Sequence, residues 1–158
     1  MHADTIHDIE TVIPHRGTLL LLDQVLEYGD DAIAVALQVP LDGVFHDDGG
    51  VPAYVGLEYM AQAVACWAGC HARARGLPPP LGFLLGSRRY ACAVPRFAAG
   101  TLLRVEARRE LMGDNGLGVF ACRILADGRE LAAAHVSVYE PEDARAYLAG
   151  ATQTGEVA

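Results

Sequence analysis

Val51 to Cys70, VPAYVGLEYMAQAVACWAGC, is an apolar run as long as a membrane span that carries Glu58 and Gln62 in its middle. A carboxylate in apolar surroundings is costly unless it is paired or takes up a proton, in which case its pKa rises. Glu58 is therefore a candidate proton donor. Glu58, Gln62 and Cys66 are spaced four and four, which puts them on one side of a helix. Pro52 suits a first helical turn, where its missing N–H has no intrahelical partner, so the helix is expected to start near Ala53. Ala61, Ala63, Ala65, Ala68 and Gly69 let neighbouring backbone approach on nearly every side, the pattern of a helix wrapped by a sheet. A membrane-spanning reading is opposed by the central acid and amide. A buried structural glutamate paired with an arginine is the other alternative, since ion-pair networks also perturb pKa values. A functional acid is the preferred reading.

The chain has 158 residues, 52% of them hydrophobic, enough for one domain with a sizeable core. All twelve basic residues are Arg, and the net charge of −8 argues against a general nucleic-acid binder. Cys66, Cys70, Cys92 and Cys122 lie in apolar segments without a CxxC pair and read as free, buried thiols. Cys66, Cys70 and His71 lack the further ligands that a metal site requires, so no metal is expected. The acidic start MHADTIHDIE has neither the basic beginning nor the apolar core of a signal peptide, which predicts a cytoplasmic protein.

Thr18 to Glu27 reads as a short apolar turn running into a strand, and Ala32 to Val39 as a second strand pairing with it. Leu41 to Gly50 is a loop of turn formers leading into the helix. Arg73, Arg75, Gly76 and Pro78-Pro79-Pro80 end helical structure. Four strands are expected after it: Gly82 to Ala91, Thr101 to Leu111, Leu117 to Leu125 and Glu130 to Tyr139. Gly113-Asp114-Asn115-Gly116 and Asp127-Gly128 are hairpin turns between the last three, and a simple antiparallel meander is the expected topology. Residues 1–140 are expected to form a single domain, and 141–158 a short helix at Glu142 to Leu148 followed by a flexible tail. An antiparallel sheet curled round one long central helix is an α+β architecture.

Three segments resemble the hotdog-fold acyl-carrier-protein dehydratases that remove water from 3-hydroxyacyl thioesters. Ile13 to Val25, IPHRGTLLLLDQV, resembles their N-terminal signature. Pro52 to Gln62, PAYVGLEYMAQ, resembles the start of their central helix. Arg88-Arg89-Tyr90 through Pro95 and Gly100 resembles the following strand and its turn. The aryl-polyene type of dehydratase is the nearest in flavour. The housekeeping enzymes carry a catalytic histidine in an HFPG-type loop fourteen residues before the glutamate, a position held here by Val44. The loop reads Phe45-His46-Asp47-Asp48-Gly49-Gly50, so His46 and His15 both stand as candidate bases, and either is otherwise an ordinary loop or entrance histidine.

The resemblance implies dehydration to trans-2-enoyl thioesters in fatty-acid or polyene-type biosynthesis. A neutral histidine would take the α-proton and Glu58 would protonate or position the departing hydroxyl. The amides around Ala53 and Tyr54, at the helix start, would polarise the thioester carbonyl. Gln62 either holds Glu58 or a bridging water, or is a satisfied core amide. An acyl tunnel is expected beside Tyr59, Met60 and Phe83, residues that serve equally as plain core. No cofactor is expected, since phosphopantetheine arrives on the acyl carrier protein. That acidic partner is expected at Arg88, Arg89 and Arg96, with Arg73 and Arg75 second, although any one of these is equally a solvated charge. The resemblance further implies a homodimer or hotdog heterodimer with the two central helices adjacent. A hotdog thioesterase and a non-catalytic acyl-binding subunit are the competing functions.

Overall fold

The computed structural model describes residues 8–142, so the expected helix at Glu142 to Leu148 and the tail lie outside the described residues. Among the described residues, eight strands and one α-helix run in chain order. β1 (Gln24–Tyr28) and β2 (Ala32–Gln38) precede a three-residue strand, β3 (Gly50–Pro52). A 3-10 turn, Ala53–Val55, then feeds the 19-residue helix α1 (Gly56–Ala74). β4 (Phe83–Cys92), the short β5 (Arg96–Ala98), β6 (Leu102–Met112), β7 (Leu117–Ala126) and β8 (Arg129–Tyr139) complete the order.

The main sheet is antiparallel with order β1-β2-β6-β7-β8-β4. Its strands alternate: Leu103, Val105 and Ala107 of β6 are buried, while Arg104, Glu106 and Arg108 face outward. The last three strands form the expected meander. β4 departs from it, because it crosses over to pair with β8 at the opposite side from β6. Among the described residues β4 pairs with β8 alone, so it is an edge strand, and Leu84 and Leu85 on it are exposed. Its register breaks between Arg88 and Ala91, where Arg89 takes a left-handed backbone with φ 57°. β3, which joins Gly50 of the segment read as loop to Val51 and Pro52 of the apolar run, pairs with β5, in the segment read as turn, as a separate two-stranded sheet.

The sheet covers only part of the helix. Trp67 meets Phe120 of β7 edge-on with ring centroids 5.3 Å apart, and Tyr59 meets Phe97 of β5 at 5.9 Å. At 100° per residue, Gly69 and Gln62 fall on the far side from Trp67. That side is covered by the N-terminal segment, whose Ile9, Val12, Ile13 and Leu22 are buried in the same core. Gly69 permits this approach, since a Cβ there would land on the Val12 carbonyl. Helix burial thus comes from sheet on one side and from an irregular strap on the other. A stripe of Leu57, Ala61, Ala65 and Ala68 stays partly open between them. No helix among the described residues is long and apolar enough to cross a membrane.

Candidate active site

The strap carries the sequence Ile13-Pro14-His15-Arg16-Gly17 directly over the first turns of α1. Arg16 fixes its path by folding back on its own backbone. Nη1 donates to the carbonyls of Ile13 and His15, both at 2.7 Å, and Nη2 donates to that of Glu10 at 2.6 Å. Gly17, at φ +60°, then turns the chain into the short 3-10 turn Gly17–Leu19.

Gln62 anchors the residues just beyond that turn. It is 1% exposed and is the one buried polar side chain among the described residues. Its Oε1 accepts from the Leu21 N–H at 3.0 Å, which sets the amide orientation. Nε2 donates to the Leu19 carbonyl at 2.7 Å and to Glu58 Oε1 at 3.1 Å. The i, i+4 spacing therefore does join Glu58 to Gln62, and Gln62 is a satisfied core amide at the same time. Cys66, next on the stripe, is sealed in the core, where burial pushes its thiol up.

His15 completes the group. Its Nε2 stands 3.9 Å from Glu58 Oε1 in the same chain, with the two side chains 29% and 43% exposed. The other ring nitrogen, Nδ1, is buried and meets no hydrogen-bond partner among the described residues. The exposure of Glu58 corrects the expectation of a carboxylate buried in the apolar run. The helical turn carries Glu58 away from the sheet-facing side and up to the strap, where its side chain is partly open to solvent. A partly exposed carboxyl, hydrogen-bonded to a fixed amide, and a partly exposed imidazole form an acid–base pair that a substrate can reach.

His46 is not joined to Glu58 by any hydrogen bond or ion pair among the described residues. Its N–H bonds the Gly43 carbonyl, and its neighbour Asp47 is bound by Arg96 through both its carbonyl and its carboxylate, each at 3.1 Å. Arg96 is thus occupied within its own chain, whereas Arg88 and Arg89 stand exposed on β4. At the helix start the Ala53 N–H is already donated to the Pro95 carbonyl at 3.0 Å. This removes Ala53 as a donor to a thioester oxygen and leaves the Tyr54 amide, beside a side chain that is 70% exposed. Tyr59 is fully buried, and burial, with the nearby Asp23 charge, pushes its phenol up to about 12. Phe83 lies across from Tyr139 at the opposite end of β4 from Tyr90.

Sequence reasoning missed two parts. The Tyr90 hydroxyl donates to the Ala53 carbonyl, so β4 fastens the turn that starts the helix. Gly56 makes room for it, because a Cβ there would strike that hydroxyl. The second is the Arg16 clamp, whose acceptors are all main-chain carbonyls and leave no trace in residue identities. The signal available for Tyr90 was a tyrosine among small and charged residues in an edge strand, whose phenol burial pushes up.

Likeness to known proteins points the same way. The chain is similar to the dehydratase heterocomplex ApeI:P from Xenorhabdus doucetiae, at 30% identity and TM-score 0.80, covering 87% of this chain and 93% of that one. It shares its fold with a hypothetical thioesterase protein with coenzyme A from Streptococcus pneumoniae TIGR4, at 13% identity and TM-score 0.58, over 73% of this chain and 83% of that one. It also shares the fold of Cj0977, a sigma28-regulated virulence protein from Campylobacter jejuni, at 13% identity and TM-score 0.61, over 85% and 89% of the two chains. No curated protein matches the sequence. The hotdog architecture that the resemblance implied, an antiparallel sheet round one long helix, is the one these structures share. The family model described as ApeP-like, ApeP dehydratase, matches residues 7–149, and the chain belongs to that family.

Proposed function

We propose that this chain dehydrates 3-hydroxyacyl thioesters carried on an acyl carrier protein to trans-2-enoyl thioesters, in a polyene-type pathway such as aryl-polyene biosynthesis. The observation that carries the reading is the approach of His15 Nε2 to within 3.9 Å of Glu58 Oε1, with both side chains partly open to solvent. His15 takes the α-proton on Nε2, and the electron pair moves into the thioester as enolate character. That charge is received by the Tyr54 amide at the helix start. As the C–O bond at carbon 3 breaks, Glu58 positions the departing hydroxyl, which takes the proton from the His15 imidazolium and leaves as water. Gln62 keeps Glu58 Oε1 turned toward His15. A positioned acid or base of this kind contributes about 10²–10⁴-fold to the rate.

The chain works in this reading as one half of a two-chain hotdog assembly, either with a second copy or with a different hotdog subunit. The support is the open stripe of Leu57, Ala61, Ala65 and Ala68 beside Glu58, together with the outer edge of β4, which bonds no further strand among the described residues. Arg88 and Arg89 on that edge receive the acidic carrier protein, while Arg96 is spent on Asp47. The test is incubation with a 3-hydroxyacyl thioester on carrier protein or on a pantetheine analogue. Conjugated enoyl absorbance without free thiol is expected. Thiol release without enoyl product means hydrolysis and overturns the reading.

A further inference from the structure

We infer that the outer face of the main sheet holds a second site, which binds a phosphate group, free or on a small organic molecule, between Arg89 and Arg108. The inference does not depend on the dehydratase reading.

Cross-strand register builds the site. Ala32, Arg108, Ala121, His135 and Arg88 stand opposite one another across β2, β6, β7, β8 and β4, and Ala34, Glu106, Arg123 and Ala133 form the next such row. Their neighbours Ile33, Ala107, Cys122 and Ala134 are buried in the core, so both rows point away from the helix. Alanine is depleted in strands because it offers little side chain to pack. Ala32, Ala34, Ala121 and Ala133 at outward positions therefore leave a hollow, the floor of a cavity of about 630 Å³. That is the size of a small-molecule site.

Arg89, Arg104, Arg108 and Arg123, four of the chain's twelve arginines, line this cavity. Two of them are spent on acids. Arg104 and Arg123 set their Nε atoms on the two oxygens of Glu106, at 2.7 and 2.5 Å, and Arg104 Nη2 reaches Glu27 at 3.1 Å. Arg89 and Arg108 are exposed and meet no hydrogen-bond or ion-pair partner among the described residues. His135 lies on the floor, its Nε2 3.3 Å from Glu110. Glu130, the remaining acid of the lining, stands five residues before His135 on β8, roughly 16 Å away along the strand. A chain with a net charge of −8 thus gathers unneutralised positive charge over one end of the hollow.

The bulge in β4 brings Arg89 to the cavity. Its φ of 57° is a left-handed conformation that costs a residue with a side chain, and bulges re-aim side chains. Backbone strain held by a residue whose charge is unpaired points to a ligand. β4 and β6 are three strand spacings apart, roughly 14 Å, and arginine side chains reaching inward from both walls close that distance onto a single anion. Phosphate suits the arrangement better than carboxylate, because its three terminal oxygens accept from two guanidinium forks at once, whereas one fork saturates a carboxylate. A phosphate held here draws Arg89 away from a carrier protein and leaves Arg88 for that role.

The test is titration of the full chain with inorganic phosphate, adenosine monophosphate and adenosine at constant ionic strength, followed by NMR of labelled alanine methyl groups. Saturable shifts at Ala121 and Ala133 are expected with both phosphates, at about 1 mM or tighter, and none with adenosine. Tighter binding of the nucleotide supports a site that also holds the organic part, and equal binding supports a site for the phosphate group alone. Ala121→Leu fills the floor without changing any charge and should abolish the shifts at Ala133. Arg108→Gln, and Arg89→Asn, which suits the left-handed backbone, should each weaken binding at least about tenfold. Unmoved signals from the buried Ala63 and Ala72 separate loss of the site from loss of the fold, and Arg108→Gln decides if Ala121→Leu does not fold. No saturable shift in the wild type, equal shifts with adenosine, or binding that survives Arg108→Gln unchanged would overturn the inference.

Discussion

Replacing Gln62 by methionine tests whether one buried amide holds both the strap and the acid. Methionine has nearly the same length and fills irregular core space well, so the substitution removes hydrogen bonds more than volume. Three bonds go: Nε2 to the Leu19 carbonyl at 2.7 Å, the Leu21 N–H to Oε1 at 3.0 Å, and Nε2 to Glu58 at 3.1 Å. A backbone group left unpaired costs about 1–3 kcal/mol. Both segments are only partly buried, so the low end of that range, about 1–1.5 kcal/mol, applies to each, roughly 2–3 kcal/mol together. Glu58 is exposed enough to be resolvated and adds nothing to this sum. Relief of the buried amide's own desolvation returns about 1 kcal/mol, leaving a net loss of about 1–2 kcal/mol. In urea this lowers the midpoint by roughly 0.5–1 M at unchanged m, for m near 2 kcal/mol/M. Turnover should fall as well, because His15 loses the fixed loop next to it. Gln62→Glu is the companion. It keeps an acceptor for Leu21 but sets a carboxylate against the Leu19 carbonyl and Glu58, so it should be the less stable of the two at neutral pH and recover as pH falls. A Gln62→Met protein with wild-type midpoint and wild-type turnover would refute the role given to this amide.

Gly69→Ala gains about 1 kcal/mol of helix propensity but drives a methyl into the Val12 carbonyl, an overpacking cost of about 1–3 kcal/mol; a variant more stable than wild type in urea would mean that the strap does not touch the helix there. Tyr90→Phe removes the bond to the Ala53 carbonyl and should lower thermal stability by about 0.5–1.5 kcal/mol, with a loss of kcat that a change in stability alone does not explain. Burial pushes Cys70 up to about 11 and Cys122 up to about 12 from an ordinary 9.0. The unfolded thiols ionise first, so stability should fall as pH rises above about 9, by about 1.4 kcal/mol per pH unit for each thiol, until the folded value is reached. Denaturation midpoints against pH should show that slope, and Cys70→Ala should reduce it; a flat profile refutes the burial argument. At the acid end, burial raises the Glu106 carboxyl, but hydrogen bonds from Arg104 and Arg123 outweigh this and hold it below 4.5. Its contribution is complete above the unfolded value and is lost as pH falls through the folded one, so Glu106→Gln should flatten the acid limb of the same profile.

The parts of this fold governed by local geometry were legible from residue order. Period-two alternation in Thr101 to Leu111 and in Leu117 to Leu125 located β6 and β7 to within one residue at each end, and Asp127-Gly128 marked the hairpin between β7 and β8. The i, i+4 bond between Glu58 and Gln62 follows from helix pitch alone. What stayed hidden depends on long-range pairing or on main-chain acceptors. β4 pairs with β8 because of where the chain re-enters the sheet, which no single strand encodes. The exposure of Glu58 depends on its direction around the helix, whereas the apolar run describes only its neighbours in sequence. The approach of His15 to Glu58 depends on carbonyls gathered by Arg16, and carbonyls are the same in every residue.

Two irregularities, one between Leu84 and Gly86 and one at Arg89, break the outer edge of β4 into short lengths. A strand added to that edge would find no even row of donors and acceptors for more than a few residues, and would need matching breaks to run its full length. The broken edge thus guards the exposed Leu84 and Leu85 against pairing with the regular strands of other chains.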